Sequence, residues 1–305
     1  MKLSILIPTH NRRDSLVRAL NSLAAMSRPE GCTLDVVVVA SDCADDSVET
    51  ATPYCDRLPL RILVEPAPGA SRARNRALDV IEGDAILFLD DDATVAPDLA
   101  CVYAAALAQY SEYGCFAGAI TSRLEGDPSP LMREVARMLP TTFGHLWLGP
   151  SPRPVDPKVE SAFAGNMVIR TQVLGSRRFD ETLGRRGHGN LEGGEETNLF
   201  EQLTRAGVKT LWLPQARAEH WINTERQTMD FVSMYWFQVG VSQVRLGHVL
   251  PGEYMSSKSR GARKAWSYWR RRLTRRPQNW LVALRELKLH QGRMAAIRQY
   301  GAKSG

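Results

Sequence analysis

The sequence predicts an α/β fold with a mostly parallel central sheet flanked by helices, and three observations carry that prediction. Short apolar or β-branched runs recur at 3–7, 34–39, 60–64 and 85–89, each bounded by turn residues. Between them lie helical patterns, the alternation that builds parallel sheets covered on both faces. The fourth run, Ile86-Leu87-Phe88-Leu89, ends directly in three carboxylates, Asp90-Asp91-Asp92. A buried charge is costly unless paired or bound to a metal, so the triplet must mark the point where a strand leaves the core. That edge is where open α/β sheets bind ligands.

Taken in order, the first strand feeds Pro8-Thr9-His10-Asn11, a turn with capping residues, and then a helix with Leu16, Leu20, Leu23 and Ala24 on one stripe. Asp45, Asp46 and Ser47 follow the second strand and suit a helix N-terminus. The third leads through Gly69-Ala70-Ser71 into a helix over 72–81. Beyond the triplet, a helix is expected over 98–110, with Pro97 where a first-turn proline is tolerated, and then a strand over 114–122. Residues 125–157 are rich in proline and sparse in pattern, and read as an irregular loop over the site. A strand over 161–170, an amphipathic helix over 193–206 and a last strand over 208–213 complete the series, with His220 after it. Residues 226–305 read as a helical extension, basic from about 255.

Composition restricts the class. The 305 residues, 44% hydrophobic, support a soluble globular protein of one large domain or two small ones. No run of 18 apolar residues exists, and the N-terminus lacks the basic, apolar and small-residue regions of a signal peptide, so a cytoplasmic protein is expected. Five scattered cysteines with no C-x-x-C pair argue against a disulfide framework or a structural zinc. The net charge of +6 hides an asymmetry: residues 255–305 hold 14 Lys/Arg against one acid, Glu286, for +13, which leaves −7 elsewhere.

In an extended segment Asp90 and Asp92 share one face, where two carboxylates suit a hard divalent cation that also binds phosphate oxygens. Taken in isolation, an acidic triplet reads more readily as a helix-capping loop. Arg72, Arg74 and Asn75 follow a flexible turn near a helix N-terminus, a place that binds anions, though an ordinary surface helix starts the same way. Glu195 and Glu196 open a helix; two acids there either complement its dipole or supply a general base.

The order of these motifs resembles the family 2 glycosyltransferases with a GT-A fold, a Rossmann-like nucleotide-binding half plus an acceptor half. The match covers about 3–222 and rests on Pro8-Thr9-His10-Asn11-Arg12, Gly69 to Asn75, Asp90-x-Asp92, Ala164-Gly165-Asn166, Phe179-Asp180-Glu181, Gly194-Glu195-Glu196 and His220. It implies a catalytic domain over 1–225, with a nucleotide-sugar part to about 122 and an acceptor part after it. It also implies an inverting, metal-dependent transfer from a nucleoside-diphosphate sugar to a saccharide or lipid-linked acceptor. On that reading Asp92, Asp90 and His220 hold Mn²⁺ or Mg²⁺. Pro8, Thr9, Asn11, Arg12, Arg74, Asn75, Asp90, Asp91, Gly165 and Asn166 surround the sugar nucleotide, Glu196 is the base, and Glu195 orients the site or acceptor. Relatives place Asp after the second strand to meet uracil, whereas this chain has Ala40, with Asp42 as a substitute. A uridine donor is therefore expected, with guanosine and thymidine as alternatives. His188, in a Gly-rich loop before the acidic pair, is a candidate to enclose the acceptor.

The basic tail interleaves Trp266, Tyr268, Trp269 and Trp280 with cations. It suits an anionic membrane surface, placing the protein peripherally on the inner face of the cell membrane, or alternatively a solvated basic helix pair packed on the acidic catalytic domain, −7 against +13. Two other functions fit less of the chain: nucleic-acid binding leaves the acidic part unexplained, so that no nucleic-acid partner is expected, and nucleotidyl transfer needs a Gly-rich basic segment where Pro8-Thr9-His10-Asn11 stands.

Overall fold

The computed structural model describes residues 1–157, 160, 164–184, 193–249, 258–274 and 276–300. Four parallel strands form the heart of the fold: β1 (Lys2–Thr9), β2 (Thr33–Ser41), β3 (Leu60–Glu65) and β4 (Ala85–Phe88). They stand in the order β3-β2-β1-β4, so β1 is central, with Leu3 opposite both Leu34 and Ala85. Helices α1 (Arg13–Ala24), α2 (Ser47–Ala51) and α3 (Ala70–Leu78) connect them. Alternate residues face opposite layers. Leu3, Ile5, Ile7, Val36 and Val38 pack on Leu16, Leu20 and Leu23 of α1, whereas Leu6, Val37 and Val39 pack on Ala73, Ala77 and Leu78 of α3. Because both their faces are buried, β1, β2 and β4 are almost wholly apolar rather than alternating, whereas β3 at the sheet edge exposes Arg61 and Val64.

Parallel character stops at β4. The sheet continues through β8 (Met167–Arg170), β6 (Cys115–Leu124), β9 (Thr210–Ile222) and β5 (Ala93–Val95), with β8 antiparallel to β4 and to β6, β5 antiparallel to β9, and β7 (Arg153–Pro154) also paired with β9. Helices α4 (Leu99–Gln109) and α7 (Glu195–Arg205) cover opposite faces, and α6 (Thr171–Leu174) follows β8. Two expectations are corrected here. The last strand does not stop at 213: it runs on through Pro214 to Ile222, alternating buried Ala216 and Ala218 with exposed Gln215 and Arg217. His220 therefore lies inside it, opposite Ala93. The stretch 125–157 is likewise not simply irregular. Ser129 accepts from the Met132 N–H at 3.3 Å, Pro130 takes the first turn, and α5 (Pro130–Met138) follows.

The chain divides into two compact units, the first holding the sheet. The second gathers Leu124–Phe143 with the chain from Ile222 onward, including α8 (Met229–Arg245), α9 (Lys258–Arg272) and α10 (Pro277–Tyr300). This grouping cuts the sequence differently from a single boundary near 225, because Met132, Val135, Leu139 and Phe143 pack against Val232, Trp236, Trp280 and Leu281. Gly240 and Gly292 let α8 and α10 touch backbone to backbone; a Cβ on Gly240 would overlap Leu289 O, and one on Gly292 would overlap Phe237 O.

One buried side chain ties the antiparallel half of the sheet together. Asn166 donates to Ala119 O at 3.0 Å and Ala216 O at 2.9 Å, and accepts from the Tyr103 hydroxyl at 2.8 Å, while wholly shielded from solvent. Gly118 leaves the room this network needs. Asn166→Ala strands the buried carbonyls of Ala119 and Ala216, while the Tyr103 hydroxyl keeps its bond to the backbone oxygen of residue 166, and is expected to cost about 2 kcal/mol in urea denaturation, against about 1 kcal/mol for Tyr103→Phe.

Candidate active site

The acid triplet leaves the core at the carboxyl end of β4. Leu89 N still bonds Leu6 O at 3.0 Å, but Asp91 and Asp92 lie in a turn rather than an extended strand. The expected sharing of one face by Asp90 and Asp92 gives way to a different division. Asp91 accepts from Thr9 Oγ1 at 2.8 Å and from Arg12 Nη1 at 2.9 Å. Asp92 accepts from the same Arg12 nitrogen at 2.7 Å and lies 3.1 Å from His220 Nε2. Asp90 turns the other way, with Oδ1 3.3 Å from Arg74 Nη2.

Arg12 thus clamps the two buried acids to the turn after β1. Burial pushes the Asp91 carboxyl up to about 6, with Arg12 pulling it down and Asp92 pushing it up again. Reciprocally, Asp91 holds the Arg12 guanidinium above its ordinary pKa, against burial and with help from Asp92. His220 reaches Asp92 because β5 and β9 pair immediately beyond the triplet, and Trp221 N donates to Asp92 O at 2.8 Å. Trp221 itself is fixed by Thr94 Oγ1 at 3.0 Å and by Arg18, whose Cζ sits 4.6 Å from its ring centroid. Gly144, with φ of 71°, passes so close to His220 that a Cβ would lie 2.7 Å from Nδ1.

Arg74 is the second clamp. Helix α3 begins at Ala70, which places Arg74 in its second turn and buries it. Its guanidinium meets Glu195 Oε1 at 3.0 Å, Glu196 Oε1 at 2.8 Å and Asp90 Oδ1 at 3.3 Å, and lies 5.3 Å from the Phe179 ring centroid. Burial works against this charge, and Glu196, Glu195 and Asp90 outweigh it, so the guanidinium is held above its ordinary pKa. Glu195 is buried, whereas Glu196 keeps 23% of its side chain exposed, which leaves the second acid the more accessible. Gly165 sits against Asp90: a Cβ there would come to 3.0 Å from Oδ2.

Several residues expected at the nucleotide are used by the protein itself. Asn75 donates to Phe179 O at 3.0 Å and accepts from Phe179 N at 2.9 Å, pinning the segment that carries Glu181. Asn166 is consumed within the core. Asn11, with φ of 51°, accepts from Ala44 N at 2.7 Å and Asp45 N at 3.2 Å, joining the turns after β1 and β2. Pro8 is half-buried opposite Val39, Ala40 is buried in β2, and Asp42 is exposed at the end of that strand with φ of 49°. Two positioning groups carried no sequence signal strong enough to single out. His10 Nδ1 lies 2.7 Å from Ser41 O, and Ser41 Oγ donates to Ala67 O at 3.0 Å while accepting from Gly69 N at 3.2 Å. His188 lies outside the described residues.

Among the described residues no three His, Cys, Asp or Glu side chains converge as a complete protein shell for a metal. Mg²⁺ and its analogues ordinarily take one or two carboxylates and complete their shells with phosphate oxygens and water, so Asp92, Asp90 and His220 have the right chemistry for such a partial set. Charge argues the same way. Five carboxylates at this end of the sheet face two guanidiniums, and a diphosphate entering alone is repelled unless a cation offsets the excess.

A family model described as glycosyl transferase family 2 matches residues 4–174. The succinoglycan biosynthesis protein ExoM of Rhizobium meliloti is 29% identical over 264 residues, 84% of this chain and 76% of that protein. Among solved structures, Staphylococcus aureus TarS 1–349 in complex with UDP-GlcNAc superposes with a TM-score of 0.53 at 19% identity, covering 79% of this chain and 66% of that one. This chain thus spans just under two thirds of the TarS fragment. The mannosyltransferase PcManGT of Pyrobaculum calidifontis, in complex with GDP-Man and Mn²⁺, superposes with a TM-score of 0.57 at 14% identity, covering 99% of this chain and 75% of that one. At these identities the solved structures speak to the fold, an α/β core of the GT-A kind, while the family match extends over more than half the sequence. The chain belongs to glycosyl transferase family 2.

Proposed function

We propose that this glycosyltransferase moves a sugar, with inversion, from a nucleoside-diphosphate sugar to a hydroxyl of a saccharide or lipid-linked acceptor in polysaccharide or glycoconjugate synthesis. The observation that carries this reading is that one nitrogen, Arg74 Nη2, contacts both Asp90 at 3.3 Å and Glu196 at 2.8 Å. A carboxylate on the diphosphate side and a carboxylate suited to deprotonate an acceptor thereby lie within one guanidinium's reach.

Glu196 takes the proton of the acceptor hydroxyl as its oxygen attacks the anomeric carbon, and the sugar–phosphate C–O bond breaks with its electron pair leaving on the nucleoside diphosphate. Glu196 meets Arg74 at 2.8 Å and remains partly open to solvent. Buried Glu195 holds Arg74 and so positions its neighbour. Asp92 and His220, with Asp90, are the residues that would hold a divalent cation, which when bound stabilises the negative charge developing on the leaving diphosphate. Arg12 keeps Asp92 oriented and Thr9 anchors Asp91, so the two acids are positioned before any ligand arrives.

On the nucleotide side, Thr9, Asn11, Ser41 and Asp42 lie at the carboxyl ends of β1 and β2, the edge at which such sheets bind ligands. Asp42 is the group proposed to meet the base, in place of the residue at Ala40. UDP is the proposed nucleotide, with GDP and dTDP as alternatives; TarS was solved with UDP-GlcNAc and PcManGT with GDP-Man.

In a thermal-shift series with UDP, GDP and dTDP, Mn²⁺ is expected to raise apparent stability with the cognate nucleotide by about 3 kcal/mol when the ligand is at about a hundred times its Kd. Asp92→Ala should erase the Mn²⁺-dependent part; an unchanged Mn²⁺ effect would remove Asp92 from the site. With the sugar nucleotide so identified, Glu196→Gln is expected to lower turnover by about 10²- to 10⁴-fold, read as nucleoside diphosphate release, while leaving donor affinity within about twofold. Near wild-type turnover would mean that another group is the base.

A further inference from the structure

The second compact unit carries a surface that transfer chemistry does not explain. Helix α9 presents Trp266 and Trp269 to solvent at 70% and 63% exposure, and Leu273, in the turn directly after its last residue, is 83% exposed. Ala262, also exposed, Trp266 and Trp269 are spaced i, i+4 and i+7, which puts them on one face of the helix, and Leu273 continues that spacing into the turn that follows. The opposite face is committed to α10: Lys264 Nζ meets Glu286 at 2.9 Å, Tyr268 packs edge-on to Trp280 at 6.3 Å, and Gly261 approaches His290 so closely that a Cβ would lie 2.7 Å from Nε2. The apolar face is therefore outward because the other face is already bound. Large apolar side chains aligned on a solvated helix signal an interaction surface.

Its borders are cationic. Arg263 and Arg270 follow the stripe along one side. Beyond them a groove of about 350 Å³ between α9 and α10 is lined by Arg260, Arg263, Lys264 and Arg271, with Glu286 at its floor side. Indole rings between water and hydrocarbon, flanked by Arg and Lys, are the features of a helix lying in a membrane interface. No helix among the described residues is long and apolar enough to cross a bilayer, so a surface position is the one this chemistry fits. Association with a second copy would bring together two segments of +13 each, which opposes it.

We infer that α9 docks on an anionic lipid bilayer, inserting Trp266, Trp269 and Leu273 among the acyl chains at headgroup depth while Arg263, Arg270 and the α9–α10 groove meet lipid phosphates. This surface is independent of the chemistry at Asp92 and Glu196, and its test requires no turnover. The intact chain is sedimented with phosphatidylcholine vesicles, with and without phosphatidylglycerol, beside the variant Trp266→Ser/Trp269→Ser/Leu273→Ser. The intact chain is expected to bind the phosphatidylglycerol vesicles preferentially, and the variant to bind about tenfold or more weakly at unchanged melting temperature, as exposed positions allow. Equal binding by the two proteins would overturn the proposal, as would absence of vesicle binding. A concentration-dependent dimer that the variant abolishes would assign the face to a second copy. Retention of duplex DNA in place of vesicles would assign it to nucleic acid, and either result replaces the membrane reading.

Discussion

A buried guanidinium that must be neutralised governs the candidate active site. Arg74 is 4% exposed, and a charge so placed is tolerated only with partners in good geometry. Its three partners come from two distant parts of the chain, Asp90 after β4 and Glu195 and Glu196 at the start of α7. Satisfying one charge therefore brings together the end of a strand, the second turn of α3 and a helix N-terminus about 120 residues further on. Such a cluster contributes little net stability compared with apolar packing of the same volume, but it selects one arrangement sharply, since any displacement strands a charge. Phe179 under the guanidinium and Asn75 pinning the Phe179 backbone hold the same corner from below.

Arg12 does for Asp91 and Asp92 what Arg74 does for Asp90, Glu195 and Glu196. The two clamps work on opposite sides of one triplet: Asp90 goes to Arg74, while Asp91 and Asp92 go to Arg12. The expectation from strand geometry was a split by alternation, with Asp90 and Asp92 together. The chain turns before alternation can apply, and the position of the two arginines decides the outcome. His220 completes the arrangement only because a three-residue strand pairs with the far end of β9. A cluster of five acids and two arginines is organised yet still carries an excess of carboxylates over guanidiniums.

The parallel half of the fold was legible because physics constrains it twice. Strands buried on both faces must be apolar throughout, and each must end where polar residues begin, so Val36 to Val39 and Ile86 to Leu89 announce both their class and the site at their ends. The antiparallel half was less legible. The last strand is expected over 208–213, yet β9 continues through Pro214, since a proline costs only one ladder bond and Ala216, Ala218 and Ile222 still bury. Helix α5 is nine residues between prolines, too short for periodicity to outweigh its flanks. At the site, residue types were readable and roles less so. Arg74 and Asn75 have the chemistry of ligand-binding groups, and only the three-dimensional arrangement reveals that Glu195 and the Phe179 backbone occupy them. The tail gave its composition but not its orientation. Which tryptophans face outward depends on which side of α9 packs on α10, a tertiary fact.

The most direct test of this account is a double-mutant cycle on Arg74 and Glu195, followed by chemical denaturation. Arg74→Met leaves Glu195 buried without its cation and should cost about 3–5 kcal/mol. Adding Glu195→Gln removes the stranded charge, so the double variant is predicted to be more stable than Arg74→Met alone. Losses that simply add would contradict the claim that one buried charge holds these elements together.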